Sequence, residues 1–134
     1  MINTRKEARE YMMQVIFQME SNKDFNVDSI ERYLDSDHIN NKQWNYCNDT
    51  FSLICNKKEI IDETIDDNSK NWKISRIPKT DLATLRVAVC EILFEDDIPV
   101  QTSINEAVEL AKVYGTDNSF KYVNAILASV VKEG

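Results

Sequence analysis

Apolar side chains return every three or four positions along most of this chain, which is the spacing of amphipathic α-helices. Thr4 and Glu7 have the spacing of a capping box, which predicts the start of a first helix. The apolar stripe of this helix consists of Ala8, Met12, Val15, Ile16 and Met19. After a polar break at residues 21–24, a short second helix is predicted from Val27, Ile30, Tyr33 and Leu34.

The longest periodic stretch predicts a third helix of roughly six turns. Its apolar positions are Trp44, Cys47, Phe51, Ile54, Ile61 and Ile65. Lys58 is the one polar interruption, and we expect a kink near residues 56–58. Polar residues 66–71 end the helix. We expect a short connector to follow, anchored by Trp72, Ile74 and Ile77.

A fourth helix is predicted after Pro78, which interrupts the chain. It runs from Asp81 to about Glu95, with Thr80 or Asp81 as its cap. Its core positions are Leu82, Leu85, Val89, Ile92 and Leu93.

Two more helices complete the pattern, after a loop at residues 96–101. Ser103 and Glu106 repeat the capping-box spacing and predict the start of a fifth helix. We expect this helix to end at Gly115 in a left-handed cap. Asp117 or Asn118 then caps a last helix that buries Phe120, Val123, Leu127 and Val130.

No stretch has a convincing strand pattern, so the predicted fold is all-α, with six to seven helices packed as a bundle. The 134 residues suit one domain. The connector at residues 71–80 divides it into an N-terminal sub-bundle of about 1–70 and a C-terminal sub-bundle of about 80–134.

Composition excludes several kinds of site. Two glycines cannot supply a Gly-rich phosphate loop, and the single histidine, His38, excludes a metal site built from several imidazoles. Cys47, Cys55 and Cys90 lack metal-ligand spacing and are typical of a reducing cytosol. The sequence has neither a secretory signal nor a membrane span. We therefore expect a cytoplasmic protein that is not an enzyme and needs no metal or cofactor.

The formal net charge is −7, but the charge is uneven. Basic residues without intervening acids occupy positions 70–79, and a second group lies near the N-terminus, as Arg5, Lys6 and Arg9. Such groups either bind phosphates or form solvated helix ends. The carboxylates at 62–67 likewise either ligate a hard cation or remain solvated.

Two aromatic residues lie off the apolar stripes of their helices. Phe17 is about 160° from the centre of the first stripe at ~100° per residue, so it contacts either a partner or a second layer of helices. Tyr122 lies beside Lys121 near a helix start, where a base can stack and a phosphate can bind.

Longer motifs carry a specific resemblance. Residues 103–115 read SINEAVELAKVYG, residues 119–124 read SFKYVN, and residues 4–9 read TRKEAR. Asp81 is followed by Leu85-Arg86, Ala88 and residues 91–93 (EIL) ahead of residues 97–99 (DIP). Together they resemble the NusB transcription antitermination family over nearly the whole chain, weakly over 20–70 and strongly over 81–127.

The resemblance implies two small helical bundles in a cytoplasmic bacterial RNA-binding protein. Members of this family bind the single-stranded boxA element of ribosomal RNA leaders as a heterodimer with a small-subunit ribosomal protein, NusE. The other Nus factors and RNA polymerase are indirect partners, and some members form homodimers. The implied RNA contacts are Arg5, Lys6, Arg9, Asn118, Lys121 and Tyr122. The implied partner contacts are Phe17 and Asp81.

Two alternatives stay open at this point. Glu7 stands where the family often has a basic residue, which together with the acidic net charge favours a protein–protein adaptor with weak RNA binding. A related non-catalytic domain also occurs in ribosomal RNA cytosine methyltransferases. That reading applies only if the chain is a fragment, because 134 residues leave no room for a cofactor domain.

Overall fold

The computed structural model describes residues 1–70 and 73–133. Six α-helices are present in these residues: α1 (Arg5–Asn22), α2 (Ile30–Tyr33), α3 (Asn41–Asp67), α4 (Lys79–Phe94), α5 (Val100–Tyr114) and α6 (Ser119–Glu133). Three 3₁₀ turns accompany them: Val27–Ser29, Ser36–His38 and Ile74–Arg76. The predicted all-α fold is confirmed. Trp72, predicted to anchor the connector, lies outside the described residues.

Helix α4 is the centre of the molecule. Every residue from Asp81 to Glu91 is buried, because α4 packs against α1 and α3 on one side and against α5 and α6 on the other. The two predicted sub-bundles are present, and they share this helix. None of the described helices combines the length and the apolar character that crossing a bilayer requires.

Two local predictions are confirmed in atomic detail. The Thr4 hydroxyl oxygen accepts from the Glu7 backbone N–H at 3.0 Å, and the Glu7 carboxylate accepts from the Thr4 N–H at 3.0 Å. Helix α3 is interrupted at Lys57, whose φ of −115° and ψ of 17° lie outside the helical range. The kink falls where the apolar stripe was interrupted by charge.

The predicted caps of α4 and α5 are wrong. The N-cap residues are Pro78 and Pro99, so each helix begins before the predicted cap. The side chains predicted to cap them make tertiary contacts instead. Ser103 donates to Glu91 at 2.7 Å, and Asp81 accepts hydrogen bonds from α6.

Gly115 ends α5 as predicted, but not in the predicted conformation. Its φ of −92° and ψ of −170° are extended rather than left-handed. Glycine is required there by close approach, because a Cβ atom would lie 2.5 Å from the Ser119 Cβ and 2.6 Å from the Ala111 carbonyl oxygen. The turn between α5 and α6 is therefore tight enough to exclude any side chain.

Candidate nucleic-acid interface

The first turn of α6 is fixed to the first turn of α4 by a buried carboxylate. Asp81 is 1% exposed and accepts hydrogen bonds from the Ser119 hydroxyl, at 2.8 Å, and from the Tyr122 hydroxyl. Burial and the hydrogen bond to Asp81 raise the pKa of Tyr122 above its usual value. The phenol therefore stays neutral, and its ring is held in one orientation at the surface.

Polar and cationic residues directly precede this half-buried ring along the chain. Asn118, directly before α6, and Lys121, in its first turn, are both exposed. The Lys121 ammonium lies 5.9 Å from the centre of the Phe120 ring, which Lys112 approaches to 5.5 Å. An amide, an ammonium and an aromatic ring thus occur together at one helix start, which is the set of groups that single-stranded RNA recognition uses.

The N-terminal basic residues differ in their availability. The Lys6 side chain is 71% exposed, and its ammonium lies 3.6 Å from the Glu106 carboxylate. Arg5 is half-buried: its Nε donates to Gln43 at 3.0 Å, and its guanidinium lies 4.4 Å from the centre of the Tyr46 ring. Lys6 is therefore the most accessible of the three predicted phosphate contacts.

Arg9 requires a correction. It is only 6% exposed, and its Nε lies 2.8 Å from a carboxylate oxygen of Glu91. Burial alone would lower the pKa of Arg9, but the ion pair with Glu91 outweighs burial and raises it. The side chain is buried and ion-paired in the interior, so the structure argues against its assignment as an RNA contact.

The two predicted partner contacts are also placed differently from expectation. Asp81 lies beneath Tyr122 and Ser119, so it positions these residues and has no surface for a partner to touch. Phe17 is half-buried and packs against the edge of the hydrophobic core. One part of the ring therefore packs against the core and another part is accessible at the surface. This placement is intermediate between the two predicted contacts, a second layer of helices and a partner.

Sequence reasoning missed two charged networks around α4. Glu91 accepts hydrogen bonds from Arg9, Tyr46 and Ser103, and is 1% exposed. Arg86 binds both oxygens of Asp62, at 2.8 and 3.0 Å, and Glu20 at 3.0 Å. The available signal was the presence of two charged residues, Arg86 and Glu91, within an otherwise apolar stretch of α4.

Asp62 belongs to the carboxylate group at 62–67, for which a cation site and a solvated surface were both open. Burial would raise the pKa of Asp62, but Arg86 and Lys58 hold it below its usual value. Over residues 1–70 and 73–133, no three potential metal-ligating side chains come together. Asp62 instead serves as the anion that neutralises a buried arginine.

Comparison with known proteins agrees with this architecture. The model of the NusB family matches residues 6–132. A protein of Alkaliphilus oremlandii named transcription antitermination protein NusB is 42% identical over 130 residues, which cover 97% of this chain and 94% of that protein. Its namesake in Clostridium acetobutylicum is 42% identical over 127 residues, which cover 95% and 94%. Both names describe transcription antitermination factors.

Solved structures show the same fold. T. maritima NusB superposes with a TM-score of 0.88 at 34% identity, over 99% of this chain and 94% of that one. A chain from a complex of the antitermination factors NusB and NusE with double-stranded RNA superposes with a TM-score of 0.81 at 21% identity, over 97% of each chain.

Proposed function

Because the chain belongs to the NusB family, we propose that it is a non-catalytic transcription antitermination factor that binds RNA. Its ligand is single-stranded RNA of the boxA type in ribosomal RNA leaders. It binds this RNA in the cytoplasm as a heterodimer with the ribosomal protein NusE. Through the other Nus factors, the complex keeps RNA polymerase transcribing past terminators.

The observation that carries this proposal is the Asp81–Tyr122 hydrogen bond. It orients an aromatic ring next to Asn118 and Lys121 before any ligand arrives. Preorganised rings bind unpaired bases by stacking, which contributes about 1–3 kcal/mol per base. Lys6 and Arg5 extend the proposed RNA surface on α1, and Arg9 supports it from within.

The test is a gel-shift titration of boxA-type RNA, with and without NusE. We expect Tyr122→Leu to weaken binding by about 1–3 kcal/mol, because it removes a stacking surface. Tyr122→Phe keeps the ring but loses the hydrogen bond to Asp81 that orients it, so its affinity should fall between those of the wild type and Tyr122→Leu. Tyr114→Leu is the matched control, because it removes a different exposed tyrosine. Equal affinities of the Tyr122→Leu and Tyr114→Leu variants would contradict the proposal.

NusE is expected to dock where Phe17 reaches the surface of α1. Both proteins should elute together from a sizing column at equimolar ratio, and added boxA-type RNA should join that peak. The same column reports whether the free chain forms a homodimer. Elution of the free chain, NusE and RNA as separate species would contradict the proposed heterodimer.

A further inference from the structure

A groove lies between the end of α3 and the outer face of α6, next to the proposed RNA surface. Its volume is about 420 Å³. Tyr122 lines one part of it, and Lys70 and Lys132 line others. Between these residues α6 contributes the small side chains of Ala125 and Ala128. Tyr122 is therefore common to the groove and to the site at the start of α6.

Three hydrogen bonds fix residues that line the groove, one of them between α6 and the end of α3. The Ser129 hydroxyl donates to the Asn68 side-chain oxygen at 2.6 Å, and the Asn68 amide donates to the Thr64 carbonyl oxygen at 2.8 Å. Ser69 donates to the Ile65 carbonyl oxygen at 2.6 Å. The first bond ties α6 to the end of α3, and the other two hold the end of α3 itself, so the groove is a formed feature of the fold.

The charged residues that line the groove, Lys70 and Lys132, have one sign. No acidic side chain lines it among the residues that the structure describes. Asp66 accepts a hydrogen bond from the Ile74 backbone N–H at 3.1 Å, which holds the 3₁₀ turn Ile74–Arg76 beside the end of α3. That segment carries two more exposed cations, Lys73 and Arg76.

These cations differ from the predicted N-terminal patch in their ion pairs with the described residues. Lys70, Lys73, Arg76 and Lys132 form no ion pair with any described residue, whereas Lys6 and Arg9 are paired with carboxylates. Of these, Lys70 and Lys132 line the groove, and in an acidic protein two such cations at one groove favour an anionic ligand. An aromatic ring at the same groove favours a ligand with unpaired bases over a simple polyanion.

We propose that this groove holds a further stretch of the single-stranded RNA. Lys70 and Lys132 would bind its phosphates, and Tyr122 would contact the RNA both in the groove and in the site at the start of α6. Lys73 and Arg76 do not line the groove; they belong to the segment whose Ile74 N–H is bound by Asp66 at the end of α3. The inference rests on the proposed function, since it extends the same RNA path. It assigns phosphate binding to Lys70 among the basic residues of positions 70–79. The sequence alone did not decide between phosphate binding and a solvated helix end for these residues.

The experiment compares two RNAs in salt titrations: a minimal boxA-type oligonucleotide, and the same RNA extended at either end by a short oligouridine. The variant is Lys70→Gln/Lys132→Gln. The control is Lys23→Gln/Lys57→Gln, which makes the same charge change at two exposed lysines away from the groove. In the wild type, extension of the RNA at one end should raise the affinity.

We expect the groove variant to lose that gain and to keep its affinity for the minimal RNA. Each phosphate neutralised on a single strand contributes ~0.7 to the slope of log affinity against log salt, so the slope for the extended RNA should fall by about 1.4. The control should keep both the gain and the slope. Retention of both by the groove variant would overturn the inference.

Two further outcomes are distinguishable. If the wild type binds neither RNA, with or without NusE, the proposed function itself fails. If the wild type binds both RNAs equally, and the groove variant instead loses affinity for NusE, the groove is a protein-docking surface and the inference is overturned.

Discussion

Arg9 and Glu91 form an ion pair inside the protein, with the arginine Nε 2.8 Å from a glutamate oxygen. Glu91 also accepts a hydrogen bond from Tyr46, at 2.5 Å, and one from Ser103. One carboxylate on α4 thereby binds side chains from α1, α3 and α5. Burial and the neighbouring Glu91 raise the pKa of Tyr46 well above its usual value, so the phenol remains a donor.

Loss of Arg9 should destabilise the protein strongly. In Arg9→Met the Glu91 carboxylate stays buried without its cation, and removal of one partner of a buried pair costs about 3–5 kcal/mol. The measurement is the urea midpoint of unfolding. Lys6→Met is the matched control, because its side chain is 71% exposed, and it should change stability by less than about 0.5 kcal/mol.

The double variant Arg9→Met/Glu91→Leu tests the origin of this effect. It leaves no unpaired charge, so part of the lost stability should return. A similar small change in Arg9→Met and Lys6→Met would show that the guanidinium is not committed to the interior. In that case Arg9 would be available to RNA, as the sequence suggested.

Glu95 is expected to make stability depend on pH near neutrality. Burial, and then the neighbouring Glu91 and Asp97, raise the pKa of Glu95 to about 7, although the hydrogen bond from Thr50 opposes the shift. The folded state therefore binds a proton that the unfolded state releases at lower pH. The stabilisation is complete below the unfolded pKa and is lost as pH rises through about 7.

The measurement is the melting temperature from pH 5 to pH 8 for the wild type and Glu95→Gln. The wild type should lose stability relative to the variant as pH rises, because the glutamine stays neutral. Asp96→Asn is the control, since it removes an exposed carboxylate next to Glu95. Parallel curves for the wild type and Glu95→Gln would contradict the raised pKa.

Gly115→Ala should disturb the site as well as the fold. The new Cβ would lie 2.5 Å from the Ser119 Cβ, and the Ser119 hydroxyl donates a hydrogen bond to Asp81. Overpacking of this kind costs about 1–3 kcal/mol, and the displaced Ser119 should weaken RNA binding through Tyr122. Val113→Ala, which changes an exposed side chain near the end of α5, is the control for both measurements. Unchanged stability of Gly115→Ala would show that the turn relaxes.

The sequence predicted the helices well because each helix has its own apolar period, and periodicity is a local property. Even the kink at Lys57 followed from a local break in the stripe. The predictions that failed concerned polar side chains with two competing uses. Ser103 has the spacing of a cap, but a buried carboxylate on another helix offers it a stronger hydrogen bond. Asp81 and Arg9 are likewise placed by partners 41 and 82 positions away along the chain.

Variants of Phe17 distinguish a role in the stability of the core from a role in partner binding. Its ring is half-buried, so Phe17→Ala should cost less stability than Met12→Ala, which removes a side chain with no exposed surface. Substitution of a fully buried Met by Ala costs about 2–5 kcal/mol. Thermal unfolding of the free protein measures both variants.

Partner affinity should show the opposite order. An aromatic residue at the centre of an interface contributes about 2 kcal/mol or more, so Phe17→Ala should lose that amount in NusE binding. Met12→Ala should bind NusE normally at temperatures where it stays folded, because its side chain does not reach the surface. Calorimetric titration of NusE into each variant gives the two affinities. If Phe17→Ala unfolds as easily as Met12→Ala and binds NusE with wild-type affinity, Phe17 belongs to the core and the partner docks elsewhere.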